Sequence, residues 1–114
     1  MQLNVRDLGD IKVISLEGME RATVEIAEDF KKALVEIIEG DSQKLVVDLS
    51  GQKFVDSSFL GALVVGLKRA TAKGGNVKLV GLQPTVRSMF DLTRLSKVFE
   101  VFDTEEEALQ SFSR

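Results

Sequence analysis

Apolar and polar positions divide this chain into short strands alternating with amphipathic helices. Leu3 to Leu8 alternates apolar with polar side chains, which predicts an edge strand ending at Gly9-Asp10. Ile11 to Leu16 follows at hairpin distance, so the two strands are expected to be antiparallel neighbours. Glu17 to Arg21 reads as a turn. From about Thr23 to Glu39, Ile26, Phe30, Ala33, Leu34, Ile37 and Ile38 recur at helical spacing. Glu25, Glu28 and Asp29 load the first turns with the charge that a helix N-terminus favours. Gly40 is expected to stop this helix.

The stretch from Lys44 to Lys73 organises the rest. Leu45 to Leu49 is nearly all apolar, the mark of a central strand covered on both faces. Ser50-Gly51-Gln52-Lys53 turns the chain, and Phe54-Val55 leads into a helix opening on Asp56-Ser57-Ser58. In that helix Leu60, Leu63, Val64 and Leu67 make one face, and Phe59, Ala62, Val65 and Ala70 much of the remainder, which predicts burial. Gly61 and Gly66 would each cost about 1 kcal/mol relative to Ala, and close approach to the sheet or a neighbouring helix is the expected compensation. Lys73-Gly74-Gly75-Asn76 ends the helix and Val77 to Leu82 forms the next strand. Pro84 opens a helix reaching about Leu92, with Val86, Met89, Phe90 and Thr93 as its inner stripe. Val98 to Phe102 reads as the last strand. Thr104 with Glu107 makes a capping box, and Ala108, Leu109 and Phe112 anchor a final helix. The order β-β-α-β-α-β-α-β-α predicts one α/β domain over residues 1–114, with parallel crossovers.

Composition narrows the chemistry. A chain of 114 residues, 44% apolar and 29% charged, is one ordinary globule rather than a disordered tail. It has neither His nor Cys. The common transition-metal ligands are therefore gone, together with Ser-His-Asp and Cys-His catalysis, so no metal or cofactor is implied and an enzyme is not expected. Net charge is -3, and Trp and Tyr are missing. Direct nucleic-acid binding needs a basic footprint and stacking platforms, and neither is present. The longest apolar run, Phe59 to Leu67, falls far below the ~20 residues of a membrane span. Met1-Gln2-Leu3-Asn4 begins no secretory leader, and the chain is expected in the cytoplasm.

Asp56-Ser57-Ser58 is the motif that carries chemistry. Asp and Ser are preferred helix N-caps, and one cap suffices for one helix. Here three capping-type residues stand in a row, at the C-terminal end of a central strand, the rim where open α/β sheets place their sites. A phosphate on Ser57 would add about -1.5 to -2 charges beside a helix N-terminus, an interaction worth roughly 0.3–1 kcal/mol to the fold. An interface shaped for a neutral hydroxyl would instead lose about 3 kcal/mol, on the order of a hundredfold in affinity. Serine as a nucleophile lacks a base, because no histidine exists and Asp56 is badly placed to deprotonate its sequence neighbour. Lys73 to Lys78 looks superficially like a phosphate loop but precedes a strand and lacks GxxxxGK[ST].

Val46-Val47-Asp48-Leu49-Ser50, followed by Phe54-Val55-Asp56-Ser57-Ser58-Phe59-Leu60-Gly61, resembles the "VLDLS…FMDSSGLG" pattern of the STAS domain. That fold is named for sulphate transporters and anti-sigma factor antagonists. Gly74-Gly75 before a strand, Pro84 to Phe90, Leu92-Thr93-Arg94-Leu95 and Val98-Phe99 extend the resemblance over nearly the whole chain. It implies a mixed, mostly parallel sheet of about five strands with about four helices packed on it. It also implies a bacterial anti-sigma factor antagonist. In that circuit the unphosphorylated protein binds an anti-sigma factor that is also an ATP-dependent serine kinase, frees the sigma factor and so controls transcription. The kinase phosphorylates the serine directly after the Asp, here Ser57, and a phosphatase resets it. By the same analogy Asp56, Ser57 and Ser58 lie in the docking surface of a monomer or weak dimer.

Two positions depart from the family pattern. Phe59 stands where the family carries Gly and is expected to crowd the loop or enlarge an apolar contact. The family's acidic "GELD" turn appears as Gly18-Met19-Glu20-Arg21, which puts a partner contact at Glu20 or Arg21. These departures favour a second reading: an unphosphorylated STAS subunit of a lipid-transport ATPase or of a stress-signalling scaffold.

Overall fold

The computed structural model describes residues 1–113. The chain opens with the expected hairpin. β1 (Gln2–Leu8) and β2 (Ile11–Glu17) pair antiparallel, from Gln2 opposite Glu17 to Leu8 opposite Ile11. Gly9, at φ +77°, supplies the left-handed residue of the connection. A two-residue strand, β3 (Arg21–Ala22), precedes α1 (Val24–Gly40). β4 (Lys44–Asp48) is followed by a second two-residue strand, β5 (Phe54–Val55), and by α2 (Ser57–Ala72). Then come β6 (Asn76–Val80), α3 (Pro84–Leu92), β7 (Val101–Phe102) and α4 (Glu105–Ser111).

The main sheet runs β1-β2-β4-β6-β7, with β1 antiparallel and every other pairing parallel. β4 is its middle strand, and Leu45, Val46 and Val47 are all buried, as the unbroken apolar run required. Alternation sends Leu45 and Val47 into the main core, with Ile14, Leu79, Phe30, Leu34 and Leu63. Val46 points the other way, into a smaller cluster with Val13, Val80 and Ala108 of α4. α1 and α2 pack against each other on the first face. Phe59 of α2 meets Phe30 of α1 with ring centroids 4.7 Å apart.

Three local expectations change. Gly40 does not break α1 but ends it inside the helix, and Asp41 caps it through its amide to the Ile37 carbonyl. Gly40 keeps a negative φ, so no left-handed stop forms there. The last strand shrinks to Val101–Phe102, since Leu95–Lys97 forms a 3-10 turn after the left-handed Arg94. Phe99 is buried edge-on against Phe90 instead of extending the ladder. The turn after β2 is shorter than expected, because Arg21 and Ala22 pair in parallel with Phe54 and Val55. Both strands of this minor sheet lie outside the main one.

Candidate functional site

The parallel strands β2, β4 and β6 end on a common rim, and the loop from Leu49 to Lys53 crosses it. Side chains and backbone from two directions hold that loop. Gln83 Nε2 donates to the Ser50 carbonyl at 2.7 Å, and Thr85 Oγ1 to the Lys53 carbonyl at 2.6 Å, both from the start of α3. The amides of Lys53 and Phe54 donate to the Glu20 carbonyl at 2.7 and 3.2 Å. Gln52 is fully buried, and its amide nitrogen donates to the Met19 carbonyl at 2.7 Å. A turn that looked merely polar in sequence is thus tied to the loop before β3 and to α3.

Asp56 follows as the N-cap of α2, with extended backbone. Its Oδ1 accepts from the Phe59 amide at 3.0 Å, the ordinary capping bond. Its Oδ2 accepts from the Val24 amide at 2.8 Å, at the first residue of α1. Thr23, the N-cap of α1, makes no side-chain cap of its own. One carboxylate therefore serves the starts of two helices. The expectation that Asp56 lies at the surface for a partner to touch meets a half-buried side chain with both oxygens engaged.

Ser57 and Ser58 are the first two residues of α2, and both are exposed. Among the described residues neither hydroxyl has a hydrogen-bond partner, so the capping role belongs to Asp56 alone. Glu20 and Arg21 come to the same rim through the pairing of β3 with β5. Glu20 lies 3.2 Å from Lys53, with both side chains about two-thirds exposed, and the Arg21 guanidinium sits 4.4 Å above the Phe54 ring.

Phe59 does not belong to this surface. It is fully buried against Phe30 and in the main core. The third residue of a helix capped by Asp56 faces inward here, so its ring neither crowds the loop nor widens a contact.

Sequence reasoning missed the hollow beside the serines. Between the first turns of α1 and α2 lies a depression of about 440 Å³, lined by Val24, Ala27, Ser58, Gly61 and Val65. Val24 is 64% exposed although apolar. Gly61, with nothing within 4 Å of where a Cβ would stand, leaves the wall open. A second depression of about 370 Å³ adjoins it along the same two helices, bounded by Val35, Glu36 and Arg69. On the shared wall Lys31 bonds Glu28 at 2.8 Å, and that hydrogen bond holds the Glu28 carboxyl below its usual range. The only signals in sequence were Val24 at a helix start and a mid-helix glycine.

Among the described residues no helix is long and apolar enough to cross a membrane. The family model described as the STAS domain matches residues 2–108. A protein of Thermotoga maritima, provisionally named an anti-sigma factor antagonist, is 30% identical over 103 residues, covering 90% of this chain and 91% of its own. A solved anti-sigma-factor antagonist (STAS) domain protein from Planctomyces limnophilus superposes with a TM-score of 0.89 at 25% identity, over 98% of each chain. The anti-sigma factor antagonist SpoIIAA in its unphosphorylated form shares the fold, with a TM-score of 0.84 at 23% identity over 98% of this chain and 96% of that one.

Proposed function

The chain belongs to the STAS domain family, and from that premise we propose that it is an anti-sigma factor antagonist switched by phosphorylation of Ser57. Unphosphorylated, it binds an anti-sigma factor that is also a serine kinase, in the cytoplasm, and releases the sigma factor for transcription. The kinase then modifies Ser57 and the complex parts; a phosphatase restores the hydroxyl.

The observation that carries this reading is the state of Ser57. Its hydroxyl is exposed, free of internal partners, and set at the first position of a helix whose cap is already supplied by Asp56. A structural serine there would be spent on capping; this one is not. A phosphate at that position meets the unpaired amides and the favourable dipole of the α2 N-terminus, so the fold tolerates it. An interface closed over a neutral hydroxyl does not. Ser58, Glu20 and Arg21 share the rim and complete the docking surface, together with the exposed Phe54 and Val24.

The alternative, an unphosphorylated assembly subunit, drew on Phe59 and Arg21. Phe59 is core, and Arg21 is stacked on Phe54, so neither supplies a distinct contact in its favour.

Incubation with a cognate anti-sigma factor kinase and ATP, followed by mass-spectrometric mapping, is expected to find one phosphate, on Ser57. Ser57→Asp is expected to weaken binding to that kinase about a hundredfold, with the melting temperature within roughly 4 °C of the parent. Modification elsewhere, or a large loss of stability in Ser57→Asp, would return Ser57 to the status of a packing residue.

A further inference from the structure

We infer that Asp56 is a positioning residue rather than a partner contact: its carboxylate ties the starts of α1 and α2 together, and charge placed on Ser57 acts on α1 through it. The regulatory half of this inference rests on Ser57 carrying a phosphate; the tie itself does not.

The first turn of α1 has no local cap. Thr23 holds the N-cap position without a side-chain bond, and the Val24 amide is satisfied by Asp56 Oδ2 from the far side of the minor sheet. The same carboxylate caps Phe59 through Oδ1, while the Asp56 amide donates to the Ala22 carbonyl at 3.2 Å. Asp56 is therefore held on both sides, by β3 and by α2, in an orientation that reaches both helix starts.

Ser57 is the next residue. A phosphate there brings close to two negative charges beside the Asp56 carboxylate, one residue back along the chain. Its oxygens also seek the amides of the first turn of α2, including the Phe59 amide that Asp56 Oδ1 now holds. Repulsion and competition act on the same group. When Asp56 turns away, Phe59 regains an acceptor in the phosphate, but Val24 does not, and the first turn of α1 frays. That turn carries the exposed Val24, which lines the depression with Ser58 and Gly61. Phosphorylation thus alters the mouth of the α1–α2 hollow as well as the charge of the rim.

Amide hydrogen exchange resolved by NMR tests this on the whole chain, with no kinase or partner in the tube. Ser57→Glu is expected to speed exchange at Val24 about tenfold, the equivalent of one helix cap. Leu34 and Ile38, buried in the second half of α1, are expected to keep their protection. Ser57→Ala, which adds no charge, is expected to leave Val24 as it is. Asp56→Asn keeps a single acceptor oxygen, so it is expected to speed exchange at one of Val24 and Phe59. Asp56→Ala is expected to speed both. Should the alanine variant fail to fold, Ser57→Glu and Asp56→Asn still decide the matter. Unchanged exchange at Val24 in Ser57→Glu would overturn the coupling, and protection of both amides in Asp56→Asn would overturn the shared cap. A failure to find phosphate on Ser57 would leave these exchange rates untouched, so the two ideas fall separately.

Discussion

Gly61 and Gly66 sit five positions apart in α2 and behave oppositely. A Cβ on Gly66 would stand 2.9 Å from Leu34 Cδ1, so the close helix approach expected from sequence is real at that position. A Cβ on Gly61 would meet nothing within 4 Å, and the same expectation fails there. Gly61→Ala is therefore expected to raise stability by about 0.5–1 kcal/mol through helix propensity alone. Gly66→Ala gains the same propensity but must displace Leu34, and is expected to lose roughly 1 kcal/mol net. Thermal unfolding of the two variants decides the signs; a rise for both would mean that the α1–α2 contact yields easily. Sequence could not separate these glycines, nor assign Phe59, for one reason. α2 is apolar nearly all round, so its pattern announces burial without saying which side faces α1. The identity of Asp56 as a cap was legible from residue type. Its second bond, to an amide 32 residues away, was not.

At the scale of elements, strands with a period were legible and strands held by neighbours were not. β1, β2, β4 and β6 alternate or run apolar over five to seven residues, and all four lie within two residues of where the pattern put them, β6 ending at Val80 instead of Leu82. β3 and β5, of two residues each, exist only because they find one another, and no window of sequence that short carries a period. They matter because they bring Glu20 and Arg21 beside Asp56 and Ser57. α4 was legible from its capping box, in which Thr104 and Glu107 bond reciprocally. What secures its far end was not. Lys78 rises from β6 with its side chain only 6% exposed, and Nζ donates to Ser111 Oγ at 2.7 Å. The ammonium lies 4.2 Å from the Phe112 ring centroid and 3.5 Å from Glu100 Oε2. Removing that charge while keeping the volume relieves desolvation at the expense of one hydrogen bond, the half-exposed ion pair with Glu100 and the contact with the Phe112 ring. Lys78→Met is expected to hold stability or raise it by about 1 kcal/mol. Lys78→Ala opens a cavity under Phe112 and is expected to lose about 2 kcal/mol. Denaturant titration distinguishes them, and a large loss in the methionine variant would show that the ammonium itself holds α4 in place.

For the whole molecule, the missing histidines govern how stability answers to pH. Hydrogen bonds from Lys44 to Asp10, from Lys31 to Glu28 and from Lys73 to Glu39 hold these three carboxyls below their usual range. Depressed carboxyls contribute stability that is complete above their unfolded values, about 4 to 4.5, and lost as pH falls through the lower folded ones. All three groups are solvent-exposed, so the contributions are small and shrink further with salt. Between about pH 5 and 7 no side chain of ordinary titration range exists in this chain, because histidine is absent. The melting temperature of the unmodified protein is expected to be level across that interval and to decline below about pH 4. Phosphoserine changes this, since its second proton leaves near pH 6. A chain phosphorylated at Ser57 acquires a single titrating group where the parent has none. Exchange at Val24 is then expected to accelerate from pH 5 to 7 beyond the intrinsic rise seen in the unmodified chain, as the monoanion becomes a dianion and presses harder on Asp56. A step of the same size in the unmodified protein would trace the effect to another group and break the link between Ser57 and α1.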